Sequence, residues 1–349
     1  MSLASVALQC SIAAAGALTV CALRMPIART MDLLDTPDAT RKLHRTVTPL
    51  VGGLAVFPAI ALACVEAVGS GAKDDAIAIL YAVVFGFFLI GYADDRVQIR
   101  PSRRLLLTLA LFAGLTLMTP GLMPTEFVFG GVAIPLGAGT IALLAIFAAS
   151  GALNAINMSD GQDGLCTGLL LIWCAFLAAS LDMPYASAAS ITAAGLAVVL
   201  LFNLFGLVFL GDIGAFGVGA FVLGLMLAGV STGDIDHGQI VTLLTVPVVD
   251  CVWLMIERKR RGHSPFDPDR QHLHHILQQA VGKWPSLIVY LALVGAGAAA
   301  AYFGGWACVA AILAQAAVVS AFRLRGPRVI EVETSPLRQP NEALTGLLP

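Results

Sequence analysis

Charge is scarce in this chain. Only 12% of its 349 residues are charged and 58% are hydrophobic, whereas an average soluble domain carries about 25% charged residues. No soluble core of this size hides so much apolar sequence, so lipid must be the solvent for much of it. The net charge of −2 is small as well, which argues against bulk electrostatic binding of nucleic acid. No Lys or Arg precedes Arg24. A cleaved signal peptide places its cations ahead of the apolar run, so residues 3–23 are expected to form a retained first helix with its N-terminus outside. The seven cysteines (Cys10, Cys21, Cys64, Cys166, Cys174, Cys251 and Cys308) lie in or beside apolar stretches without metal-ligand spacing. They read as small buried hydrophobes rather than disulfides or ligands. An HExxH pair is missing, which leaves an intramembrane zinc hydrolase without its usual helical signature. No repeat, soluble domain or low-complexity block interrupts the chain.

What is present is a series of apolar runs. A bilayer-spanning helix takes about 20 residues. Eleven candidates fall at 3–23, 50–68, 76–93, 105–119, 140–158, 165–181, 186–205, 214–230, 239–256, 286–302 and 305–322. The predicted fold class is an all-α polytopic membrane protein with 10 or 11 transmembrane helices. Residues 1–322 form a single integral membrane domain, and the polar tail 323–349 is expected to be disordered. Between Thr119 and Gly139, the alternating run Phe127–Ile134 predicts a short external hairpin. With the N-terminus outside, nineteen of the twenty Lys and Arg residues fall in the inside segments, and Lys73 is the exception. This positive-inside bias predicts a cytoplasmic C-terminus and a site built from cytoplasmic loops.

The same map puts five aspartates on the inside face, next to span ends where a carboxylate is costly and usually kept for chemistry. Asp94 and Asp95 lie in Gly91-Tyr-Ala-Asp-Asp-Arg96, where adjacent carboxylates repel unless a cation shares the site; Arg96 is a candidate local partner. Asp160 and Asp163 follow Asn154 and Asn157, whose spacing of three places both amides on one side of a helix. Gly161 and Gly164 free the backbone there to bend. Asp212, in Phe209-Leu-Gly-Asp-Ile-Gly214 after Asn203, is placed to cap a helix. Together these make an oxygen-rich platform suited to Mg²⁺, with Mn²⁺ as an alternative.

Cations gather in two inside segments. One is Arg258–Leu277, with Arg270, His272, His274 and His275. There, Arg and His in a Pro-bounded loop suit phosphate oxygens, while zinc would need ligands from a further element. The other is Arg41-Lys42-Leu-His44-Arg45, ahead of Gly52-Gly53, a glycine pair open to close approach by a ligand or by another helix. An acidic floor, amides and a cationic lid on one face fit a divalent metal with a pyrophosphate. A transporter with intramembrane acids is the reading from another class, but its acids belong near the midplane rather than at span ends.

These five blocks, in this order over residues 35–280, resemble the polyprenyl-phosphate N-acetylhexosamine-1-phosphate transferases of glycosyltransferase family 4. Ser264-Pro-Phe-Asp-Pro-Asp-Arg-Gln-His-Leu-His-His275 is most similar to the undecaprenyl-phosphate N-acetylglucosamine-1-phosphate transferase branch. The resemblance implies a UDP-N-acetylhexosamine donor, a polyprenyl phosphate acceptor, Mg²⁺ and a bacterial inner membrane; a homodimer stays open. It implies that Asp94 and Asp95 are the catalytic pair and that Asn157 and Asp212 are metal ligands. Asp163 would contact uridine, Arg270 the pyrophosphate, and His272, His274 and His275 the donor. Lys42, His44 and Arg45 fall in the block where the family has basic active-site residues. From their own placement Asp160 and Asn154 are further candidates to line the substrate site, with Asp160 the least assigned of the five aspartates. Gly214-Ala215-Phe216 departs from the family, whose members often carry Gly-Ser there. The chemistry implied is attack by the acceptor phosphate on the β-phosphorus with loss of UMP; a covalent aspartyl-phosphate route stays open.

Overall fold

The computed structural model describes residues 3–36, 47–69, 75–264 and 271–325. Lys42, His44, Arg45, Arg270, most of the tail and Lys73 lie outside these residues. Thirteen α-helices are found among the described residues. Eleven coincide with the predicted spans: α1 (Leu3–Ala22), α3 (Gly52–Gly69), α4 (Asp75–Val97), α5 (Pro101–Met118), α6 (Ala138–Met158), α7 (Leu165–Ser180), α8 (Tyr185–Leu204), α9 (Gly211–Thr232), α10 (His237–Arg260), α12 (Lys283–Phe303) and α13 (Gly305–Arg325). Nine of the described helices are long and apolar enough to cross a membrane, while the apolar stretches Gly52–Ala67 and Leu165–Ser180 are shorter. The chain is therefore a multi-pass membrane protein. Two short helices complete the set, α2 (Arg24–Met31) and α11 (Leu273–Val281).

The helix α9 is apolar on every side, as a helix buried within a bundle must be. It is enclosed by α3, α4, α6, α7 and α8. The helices α10, α12 and α13 pack together, α10 also against α6 and α12 against α7, with α11 against α12 and α13. Outward-facing apolar side chains such as Leu117, Phe147, Leu201 and Trp306 are exposed. That is the surface expected where lipid rather than water is the solvent.

Two small sheets close the ends. β1 (Leu34–Asp35) pairs antiparallel with β2 (Thr48–Pro49). β3 (Glu126–Phe129) pairs with β4 (Val132–Pro135), with Phe127 opposite Ile134, so the predicted hairpin is present. Gly130 and Gly131 form its turn with φ of 59° and 81°, the left-handed pair that a tight hairpin needs. His237 at the start of α10 accepts the Val128 N–H at 3.1 Å. The hairpin is thereby fastened to the end of α10 remote from Arg258–Arg260.

Candidate active site

The predicted third span ends too early. The helix continues through Val97, so Asp94 and Asp95 sit in its last turn rather than in a loop. Neighbouring helical residues point apart, and these two do so. Asp94 is 4% exposed; it accepts the Ile99 N–H and Arg104 Nη1, both at 2.7 Å. Arg104 in α5 lies over the Phe216 ring at 5.4 Å. The expected local partner, Arg96, turns instead to Asp32 at 3.6 Å.

Asp95 reaches α9. Its two oxygens accept the N–H groups of Asp212 and Ile213 at 2.9 and 3.0 Å. A helix start presents unpaired N–H donors and a positive dipole end, so a carboxylate is well placed there. The expectation that Asp212 caps its own helix is corrected by this contact. Asp212 is already the second residue of α9, and the cap comes from Asp95. Freed from capping, Asp212 accepts the Asn157 side-chain amide and lies within hydrogen-bonding reach of Asp94. Two carboxylates that close need a shared proton or a cation.

Asp160 enters from the loop after α6 and accepts the Gly211 N–H. Desolvation, then the charges of Asp212 and Asp95, push its carboxyl well above the usual range. Asp94, Asp95, Asp160 and Asp212 thus form one cluster, with Asn157 at its edge and Arg104 as a bonded cation. Asp160 ionises near pH 4 in an unfolded chain but holds its proton to higher pH in the fold. Stability from this group is full below about pH 4 and is lost as pH rises through the raised folded value. Asp160→Asn is therefore expected to melt above wild type in metal-free buffer. Thermal melts should show the gap widening from about pH 5 to pH 8.

Asp163 does not join the cluster's hydrogen bonds. It pairs with Lys283 Nζ at 2.6 Å, at the start of α12. Gln162 ties the same loop to α12 through Lys283 O at 2.8 Å and Ser286 Oγ at 3.1 Å. Asn203 braces it from α8 by accepting the Gly164 N–H at 2.7 Å and donating to Val208 O at 2.9 Å. Asn154, three residues before Asn157 in α6, donates to Ser150 O of its own helix at 2.8 Å. Gly52 and Gly53 serve helix approach: their N–H groups donate to Phe209 O and Leu210 O, both at 2.9 Å.

The histidines come from α11. His272 stands at the N-cap position of α11 without a capping bond from its side chain, and its ring is parallel to that of His274, with centroids 5.7 Å apart. His274 is 2% exposed, and its centroid lies 4.1 Å from that of His275. Burial, then His275 and His272, lower its pKa well below the usual value, so it is neutral at pH 7. A side chain at Gly161 would come within 2.5 Å of His274 Nε2; glycine there admits the ring against the aspartate loop. Four residues that bond to the predicted site residues or to each other were not read from the sequence: Arg104, Lys283, Asp250 and Arg323. Asp250 carried a signal, since it is a lone carboxylate inside a predicted span.

Among the described residues the donor set of this cluster is all oxygen and rich in carboxylates, which suits a hard divalent cation. No three His, Cys, Asp or Glu side chains among the described residues are grouped so as to hold a metal ion by themselves. Mg²⁺ does not need one, because it is commonly held by one or two carboxylates, water and substrate phosphates.

Similarity to known proteins follows the same segments. The model for glycosyl transferase family 4 matches residues 76–230. The undecaprenyl-phosphate alpha-N-acetylglucosaminyl 1-phosphate transferase of Escherichia coli K12 is 32% identical over 284 residues, covering 73% of this chain and 71% of that protein. The Salmonella typhi protein of the same name is 31% identical over 305 residues, with coverage of 79% and 78%. A decaprenyl-phosphate N-acetylglucosaminephosphotransferase of Mycobacterium tuberculosis is 31% identical over 337 residues, with coverage of 80% and 78%.

Proposed function

This chain belongs to glycosyl transferase family 4, and on that premise we propose that it moves N-acetylhexosamine 1-phosphate from a UDP-sugar to undecaprenyl phosphate. N-acetylglucosamine is the first choice of sugar. The observation that carries the reading is the convergence of Asp94, Asp95, Asp160 and Asp212 with Asn157, drawn from α4, the α6–α7 loop and α9. The acids lie at helix ends rather than at mid-membrane, which disfavours a transporter.

In the proposed reaction an acceptor phosphate oxygen forms a bond to the β-phosphorus. The bond from that phosphorus to the bridging oxygen breaks, and UMP departs with the α-phosphate. A phosphate monoester has its second pKa near 6, so the nucleophile is already ionised and the protein need not remove a proton. Its work is to position both phosphates and balance charge. Asn157 and Asp212 would hold Mg²⁺ or Mn²⁺, which when bound offsets the carboxylates and the phosphate oxygens. Asp95 fixes the α9 backbone that carries Asp212, and Asp94 with Arg104 fixes the neighbouring wall. Asp163, paired with Lys283, would contact the uridine end of the donor. Arg270, His272, His274 and His275 would meet the donor phosphates, and Lys42, His44 and Arg45 would add positive charge. The protein would lie in the bacterial inner membrane, and the distribution of Lys and Arg supports a site facing the cytoplasm. The product would be a polyprenyl-diphosphate sugar that starts a cell-envelope glycan.

The test supplies a panel of UDP-sugars with undecaprenyl phosphate and Mg²⁺ and reads the lipid product by mass. One sugar is expected to dominate, with UMP released only when acceptor is present. UMP release by wild type without acceptor would count against direct attack.

A further inference from the structure

Asp250 has no polar company in its own stretch of helix. It sits in Pro247-Val-Val-Asp-Cys-Val-Trp of α10 and is 4% exposed. A buried charge there is costly unless it is paired and hydrogen-bonded. Donors from two other elements converge on it. Oδ2 faces Nδ1 of His272 at 2.9 Å, and Oδ1 accepts the Leu273 N–H at 2.9 Å. Oδ1 also accepts Arg323 Nε at 3.1 Å, with Nη2 of the same guanidinium a second donor. The Arg323 side chain is 2% exposed and belongs to the last turn of α13.

Two consequences follow for the histidines. The α11 start has no cap from the side chain of His272, so the Asp250 carboxylate caps it from another helix. With Nδ1 facing that carboxylate, the imidazole plane is fixed and Nε2 points away from it. The His272 ring lies parallel to His274, and His274 fills the space left by Gly161. A continuous packed path therefore runs from Arg323 through Asp250, His272 and His274 to the aspartate loop.

We propose that Asp250 and Arg323 are positioning residues that hold His272 and His274 against the acidic site. The helix α13, which lies beyond the matched segment 76–230, then becomes a working part of the enzyme. The inference rests on the proposed transferase reaction, in which these histidines meet the donor.

Asp250→Asn, Arg323→Lys, Arg323→Met and the pair Asp250→Leu with Arg323→Met test it in the full-length protein. Exchanging both members of a buried ion pair for apolar groups is often neutral for folding. The paired variant therefore keeps the test open if Asp250→Asn misfolds. We expect kcat to fall about 10- to 100-fold with a smaller change in KM and a thermal midpoint near wild type in the paired variant. Arg323→Lys should retain more activity than Arg323→Met. In a His272→Gln background, adding Asp250→Asn should cost little more, because both act through one ring. Equal losses in both backgrounds, or unaltered kinetics in the paired variant, would overturn the proposal. Amide hydrogen exchange of α11 is read without substrate and is expected to quicken in the paired variant; unchanged exchange would also overturn it. A wild type inactive with every UDP-sugar, alongside a loosened α11, would support the anchoring and sink the transferase reading.

Discussion

Asp212→Asn is expected to lower transfer about 1000-fold while leaving the helices in place. The Asp212 side chain accepts from Asn157 through Oδ1, and an asparagine keeps an oxygen for that bond. The backbone N–H of residue 212 still donates to Asp95, so the start of α9 stays capped. What disappears is one negative charge beside Asp94. Removing like charge from an unliganded acidic cluster relieves repulsion, so the variant should melt no lower than wild type. With Asp212 as a metal ligand, the loss falls on the reaction, and the rate against Mg²⁺ concentration should show it. Wild type saturates, whereas the variant should require far more metal or fail to saturate. Wild-type rates for Asp212→Asn at ordinary Mg²⁺ would end the metal-ligand assignment.

Much of the fold could be read from hydropathy because lipid imposes a simple rule. Backbone groups in hydrocarbon must be satisfied within the segment, so each apolar run is a helix. All eleven predicted spans fall on helices for that reason. Their ends were harder to read. Asp94, Asp95 and Asp212 look like loop residues by polarity, yet all three lie in terminal turns. The first turn of α9 favours Asp212, whereas the last turn of α4 disfavours a carboxylate, so Asp94 and Asp95 are held by donors from outside their own helix. Pairing was harder still. Arg96 is two residues from Asp94, but residues two apart on a helix face different sides. Arg104, one turn into the antiparallel α5, returns to the correct side. Lys283 and Arg323 are separated from Asp163 and Asp250 by 120 and 73 positions. No local pattern signals such contacts. The dense Asn, Asp and Gly loop did signal a site, but only the geometry divides Asp160, which joins the cluster, from Asp163, which pairs outside it.

The cluster also depends on residues that carry no charge. Gly91→Ala is expected to reduce kcat about 100-fold although every acid and amide of the site remains. A Cβ at Gly91 would lie 2.3 Å from Asp212 O and 2.6 Å from Ile213 Cα. Both are backbone atoms at the start of α9, so no side chain can swing aside. Ordinary contact begins at 3.4 Å, so α4 and α9 must separate by about 1 Å, a displacement that alone costs about 100-fold when reacting groups are misplaced. That separation acts on the two bonds from Asp95 to α9 and thereby on where Asp212 presents its carboxylate. Relief on the far side of α9 is blocked, because a Cβ at Gly53 would already sit 2.3 Å from Gly214 N. Overpacking of this kind costs about 1–3 kcal/mol of stability, which a multi-helix bundle survives. The measurement is kcat for the preferred UDP-sugar together with a thermal melt. A folded Gly91→Ala protein with wild-type kcat would show that the distance between Asp95 and Asp212 does not govern the reaction.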